Sequence, residues 1–126
     1  TSMGKVLLAH QKTDTLEKYL ATAQLDKLTD QTIANPDTLR DKLKIVREQG
    51  YASSLNELDY GLVSTAVPIF DESGNILAAI NCSTGSSRIA QEEMVRTRLP
   101  ILLNAARDIQ FSLSKWPILR HALLGN

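Results

Sequence analysis

Leu62-Val63-Ser64-Thr65-Ala66-Val67-Pro68-Ile69-Phe70, then Asp71-Glu72-Ser73-Gly74-Asn75, then Ile76-Leu77-Ala78-Ala79-Ile80-Asn81-Cys82-Ser83 is the stretch that decides the fold. Two apolar runs, the first rich in β-branched residues, flank a block of turn formers, so the segment predicts an antiparallel hairpin. Pro68 cannot donate to a ladder, which predicts an edge position or a bulge there. Asn81 and Ser83 are two apart and share one strand face, while Cys82 takes the other. The neighbours Leu77 to Ile80 are all apolar, as in a strand covered on both faces.

Outward from the hairpin the pattern turns helical. Met3, Val6, Leu7 and His10 have helical spacing over residues 2–10. Asp14 with Glu17 gives a helix-start signature, followed by Leu16, Tyr19, Leu20 and Ala23 on one face. Asn35-Pro36 predicts a cap with proline at the first helical position, and Gly50 an end. Between them Leu39, Leu43 and Val46 repeat on one side. Tyr51 to Leu55 reads as a short strand. After Gly85-Ser86-Ser87 a long helix is predicted over about 90–114, burying Val95, Leu99, Leu102, Ala106, Ile109 and Leu113. Pro100 should kink or split it, and Trp116-Pro117 should end it, with a further helical turn or two over 118–124.

Bulk properties narrow the function. The chain has 126 residues, 43% of them hydrophobic, which suits one compact domain with a core. Fourteen basic and fourteen acidic residues cancel, so the basic stripe of a surface that binds DNA by itself is missing. The single cysteine excludes an internal disulfide and a Cys-rich metal site, and fits a reducing cytoplasm. No apolar run reaches the ~18 residues of a membrane span, and no signal peptide is visible.

Catalytic groups are scarce. His10 and His121 lie near opposite ends with no ligand partner at metal spacing, so both read as surface or packing histidines. Cys82 reads as a buried, unreactive cysteine. Asn81 and Ser83 either face solvent on a half-exposed strand or line a polar site. Ser64, Thr65 and the hydroxyls from Ser83 to Ser87 are suited to donate to a carboxylate, although the last stretch is also an ordinary turn composition.

These residues carry a resemblance. Gly50-Tyr51-Ala52, the block Asp59 to Asp71 containing Gly61-Leu62-Val63-Ser64-Thr65-Ala66-Val67-Pro68, the block Gly74 to Ser83, and Ser87-Arg88-Ile89 resemble, in order and spacing, the effector-binding domain of the IclR family. Met3-Gly4-Lys5-Val6-Leu7-Leu8-Ala9 resembles that family's opening helix, and the likeness runs from residue 3 to about residue 113. Met3 to Ala9, Leu28-Thr29, Gln31-Thr32-Ile33 and Ala79 to Ser83 resemble the regulators of protocatechuate and hydroxybenzoate catabolism.

The resemblance implies an α/β fold: a GAF-like antiparallel sheet flanked by helices, one effector-binding domain whose first strands lie upstream of Thr1. It implies a winged helix-turn-helix outside residues 1–126, a homodimer or homotetramer, and a cytoplasmic protein without membrane contact. It implies a small organic acid effector, aromatic for the subgroup, and no cofactor or metal. By position the ligand set is Ser2, Met3, Leu62, Ser64, Asn81 and Ser83. Three departures stand out: Ser54 occupies an often acidic position, Val63 replaces a common arginine, and Ala90 replaces a hydroxyl cap. A sensing module is the expectation. A purely structural dimerisation domain, or an enzyme using Ser64, Ser83 or Cys82, are the other readings.

Overall fold

The structure, a computed structural model, describes the backbone of residues 1–124 and their side chains except at 119, 120, 123 and 124. Its elements are α1 (Ser2–Ala9), α2 (Thr13–Thr22), α3 (Pro36–Gln49), β1 (Ala52–Leu55), β2 (Leu62–Phe70), β3 (Ile76–Gly85), α4 (Gln91–Lys115) and α5 (Pro117–Leu124). The three strands form one antiparallel sheet in the order β1-β2-β3. Helix α1 crosses one face and α3 packs on its far side; α4 covers the other face. An antiparallel sheet flanked by helices is the predicted class.

The turn chemistry explains the hairpin. The Asp71 carboxylate accepts from the Ser73 and Asn75 N–H groups, each at 2.9 Å, and Gly74 takes φ +82 where a side chain would be strained. β1 pairs with β2 only as far as Ala66, so at Pro68 the strand has β3 alone beside it, and the register shifts between Ile69 and Phe70. Both options read from Pro68 are thus realised next to each other. β3 runs to Gly85, two residues beyond the predicted end, and forms an edge of the described sheet. No residue of β3 is fully buried, and Ala78, Asn81 and Ser83 are exposed, which corrects the two-sided cover expected from Leu77 to Ile80.

Alternation divides the core in two. Ala66 faces α1 and joins Val6, Ala9, Leu20, Leu39, Leu43, Val46 and Ala52. Val67 and Ile69 face α4 and join Leu102 and Ala106. Asn35 caps α3 by accepting from the Asp37 and Thr38 N–H groups at 2.8 and 3.1 Å, with Pro36 following as predicted.

Several helix faces differ from the sequence pattern. α1 buries Ser2, Lys5, Val6 and Ala9, whereas Met3 is exposed. α2 starts one residue before Asp14 with no side-chain cap, and Tyr19 is exposed. Glu17 does not reach back to a cap; it holds Arg40 of α3 through two hydrogen bonds of 2.9 and 2.8 Å. α4 is not split: it runs through Pro100 as one helix, with that residue exposed. Ile109 is exposed, contrary to the expectation, and Met94, which the predicted face did not include, is buried. Cys82 is half-buried against the α4-side core, not fully buried. Ala90 starts α4 without a side-chain cap, as its departure from the family pattern implied.

His10 closes the far end of α1. Its ring meets Phe70 edge-on at 4.9 Å, and its Nε2 is buried without a hydrogen-bond partner among the described residues. Burial, with Arg47 adding to it, pushes its pKa below the ordinary 6.5. The unfolded chain therefore takes up this proton first as pH falls, so the native state loses stability from about pH 6.5 downward and keeps it in full above. Urea midpoints measured across pH 5 to 8 should show this slope in the wild type and a smaller one in His10→Phe. Equal slopes would contradict the burial of a neutral ring.

Candidate functional site

A row of serine hydroxyls crosses the α1-side face of the sheet. Ser54 on β1 pairs with Ser64 on β2, and Ser64 pairs with Ser83 on β3. Register therefore aims the three in one direction. Asn81 lies two residues along β3, opposite Ala66, on the same face. The start of α1 sits over the row: the Ser64 hydroxyl donates to the Ser2 hydroxyl at 2.8 Å, and both residues are buried. Thr1 caps the N–H of Gly4 at 3.1 Å. The N–H groups of Ser2 and Met3 are outside the intrahelical ladder, as at any helix start, and carry the positive end of the helix dipole.

These groups enclose a cavity of about 110 Å³ lined by all six residues named from the sequence, Ser2, Met3, Leu62, Ser64, Asn81 and Ser83, together with Ser54, Glu57 and Leu58. Met3, Asn81 and Ser83 are exposed, so the cavity opens beside α1 and along β3. Asn81 and Ser83 make no side-chain hydrogen bond among the described residues. On the α1 and β3 sides the wall is one of donors, with the Ser2 and Met3 amides and the serine hydroxyls able to surround an oxygen anion.

The floor on the β1 side was not read from the sequence. Lys5 is buried, and its ammonium donates to Glu57 Oε1 at 2.6 Å, to the Ser53 carbonyl at 3.2 Å and to Ser54 Oγ at 3.2 Å. Its three protons are all used. Ser54, at the often acidic position, thus serves as a neutral acceptor for Lys5. The loop that carries Glu57 is clamped from outside: Thr29 donates to the Asn56 carbonyl and Thr32 to the Glu57 carbonyl. Both threonines stand in the stretch that carried the subgroup resemblance, a signal that marked them without giving their task.

A larger cleft of about 630 Å³ lies between α3, β1 and the start of α4; Lys5 lines it, and Glu57 lines both it and the first cavity. Its inner polar groups are already paired: Ser53 Oγ accepts from Gln91 at 2.9 Å and donates to the Ser64 carbonyl at 3.2 Å. The smaller cavity, with its unpaired donors, is the better fit to an acid. No group of metal-ligating side chains occurs among the described residues, and no helix among them is long and apolar enough to cross a membrane.

Comparison with known proteins gives the family. The profile of the family described as "Bacterial transcriptional regulator IclR C-terminal" matches residues 1–111. The chain is 44% identical over 109 residues to the Pca regulon regulatory protein of Pseudomonas putida, covering 86% of this chain and 38% of that protein. It is 32% identical over 110 residues to the p-hydroxybenzoate hydroxylase transcriptional activator of Acinetobacter baylyi, covering 87% and 41%. Its fold matches the inducer-binding domain of the Acinetobacter transcription factor PobR, a double mutant in complex with 3-hydroxybenzoic acid, with a TM-score of 0.83 and 31% identity over 87% of this chain and 65% of that one. The chain spans about two fifths of the length of these curated relatives. Family and relatives are transcription regulators and not enzymes. The chain belongs to the IclR family of bacterial transcriptional regulators and is its C-terminal, effector-binding domain.

Proposed function

We propose that this domain senses a small organic acid, aromatic in the first instance, held between the start of α1 and the serine face of the sheet. The carboxylate meets the Ser2 and Met3 N–H groups and the hydroxyls of Ser64 and Ser83, Asn81 orients it, and Leu62 packs against its apolar body. One observation carries this: residues 2, 3, 62, 64, 81 and 83, far apart in the chain, line a single cavity. The hydroxybenzoic acid bound by the PobR domain supports the ligand class. At about 110 Å³ the cavity is smaller than the ~150 Å³ that encloses benzene, so part of an aromatic acid occupies the opening beside α1 and β3.

The rest of the protein follows from the same frame. Among the described residues β3 offers an unpaired outer edge, and the PobR domain is longer than the matched segment; strands from elsewhere in the protein complete this sheet. The formal charge of zero leaves DNA contact to a separate winged helix-turn-helix. Ile101, Phe111, Trp116 and Ile118 are exposed on α4 and beyond it, which suits self-association as a homodimer or homotetramer in the cytoplasm. Effector binding then shifts the population of subunit arrangements and with it the placing of the DNA-binding domains.

Calorimetry of the full-length protein against hydroxybenzoates and short keto acids tests the ligand. At least one acid should bind, and Ser83→Ala, at an exposed position, should weaken it about tenfold, the loss of one hydrogen bond to a charged group. Silence across the panel would contradict the reading.

A further inference from the structure

We infer that Glu57 selects effectors that carry a hydrogen-bond donor, a hydroxyl above all, at the end remote from their carboxylate; this rests on the acid-binding reading above. Glu57 lines the same cavity as Ser64, Asn81 and Ser83. Its two oxygens differ. Oε1 takes the Lys5 ammonium at 2.6 Å. Among the described residues Oε2 receives only the Ser54 hydroxyl, at 3.5 Å, well beyond the ~2.5–3.0 Å of a good O–H···O bond. Lys5 has no proton left for it, since its other two go to Ser53 and Ser54. An ionised carboxylate offers about four lone-pair positions, and this one is largely withdrawn from water, at 18% side-chain exposure. An under-used acceptor in a part-buried wall is satisfied best by a ligand donor.

Position and charge fix the orientation. Glu57 stands on the β1 side of the cavity beside Ser54, and Ser83 and Asn81 stand on the β3 side. With strands ~4.8 Å apart, the two sides are separated by roughly 10 Å. A ligand carboxylate placed against Glu57 would meet a like charge, whereas the donors of Ser2, Met3 and Ser83 attract it. The acid end therefore points toward α1 and β3 and the far end toward Glu57 Oε2. A hydroxyl there donates and is retained. A methoxy group or a bare ring leaves the acceptor unfilled, and a second carboxylate is repelled.

The test is a ligand series against the full-length protein: 4-hydroxybenzoate, 3-hydroxybenzoate, 4-methoxybenzoate and benzoate, titrated calorimetrically. In the wild type the better hydroxy acid should bind about tenfold to a hundredfold tighter than the methoxy and unsubstituted acids, as expected for a bond to a charged acceptor. Glu57→Gln should narrow that ratio to about threefold or less. Glu57→Asp, which keeps the charge but retracts the oxygens, should narrow it as well. A merely structural role for Glu57 would lower all affinities together and leave the ratio intact, which would overturn the inference. So would equal binding of all four acids by the wild type. No binding by any acid would instead overturn the acid-sensing reading on which this rests.

Discussion

Replacing Lys5 by methionine is expected to destabilise the domain by about 3 kcal/mol, because it leaves a part-buried carboxylate without its counter-charge. Methionine keeps the length of the stem that lies along α1, so little packing is lost. What goes is the 2.6 Å contact to Glu57 and the bonds to Ser53 and Ser54. Glu57 retains some solvent access at 18% of its side chain, which keeps the loss below that of a fully enclosed charge. Adding Glu57→Gln should then recover part of it, giving a coupling of about 1–3 kcal/mol in a double-mutant cycle followed by urea denaturation. Additive effects would contradict a shared buried pair.

Leu43→Ala is the second large expected loss, again about 3 kcal/mol, within the range for buried leucine truncations. Leu43 is 1% exposed and fills the space between α3 and α1 in the core that also contains Val6, Ala9 and Ala66. Since α1 carries Ser2 and Met3 to the serine row, a looser seat for α1 also loosens the cavity. Ile45, two residues on and 49% exposed, is the control: Ile45→Ala should change stability by about 0.5 kcal/mol or less. Equal losses at the two positions would show that α3 does not seat on α1 as described.

Much of this was legible in the residues themselves. The hairpin follows from alternation and from Asp71 and Gly74, which are local signals, and the Asn35-Pro36 cap is equally local. The register that puts Ser64 beside Ser83 follows once the hairpin turn is placed. The six ligand positions came from the family resemblance, and they converge on one cavity because α1 lies across the face that register creates. The misses have a common cause. Lys5 carries no local signal of its role, and only its partner 52 residues away makes it a buried, paired charge. Glu17 had the spacing of a capping box, but Arg40 on another helix won it. Ile109 is exposed and Met94 was missed as a buried residue because helical periodicity does not say where the sheet beneath α4 ends. Cys82 and Asn81 are more exposed than an apolar strand suggests because β3 is an edge in the described sheet.

The most direct test is a crystal structure of the full-length protein with 3-hydroxybenzoate. The acid should lie between the start of α1 and the serine row, its carboxylate oxygens about 3 Å from the Ser2 or Met3 nitrogens and the Ser83 hydroxyl. Density for the acid in the wider cleft lined by Lys42, Gln49 and Gln91, with the serine face empty, would contradict it.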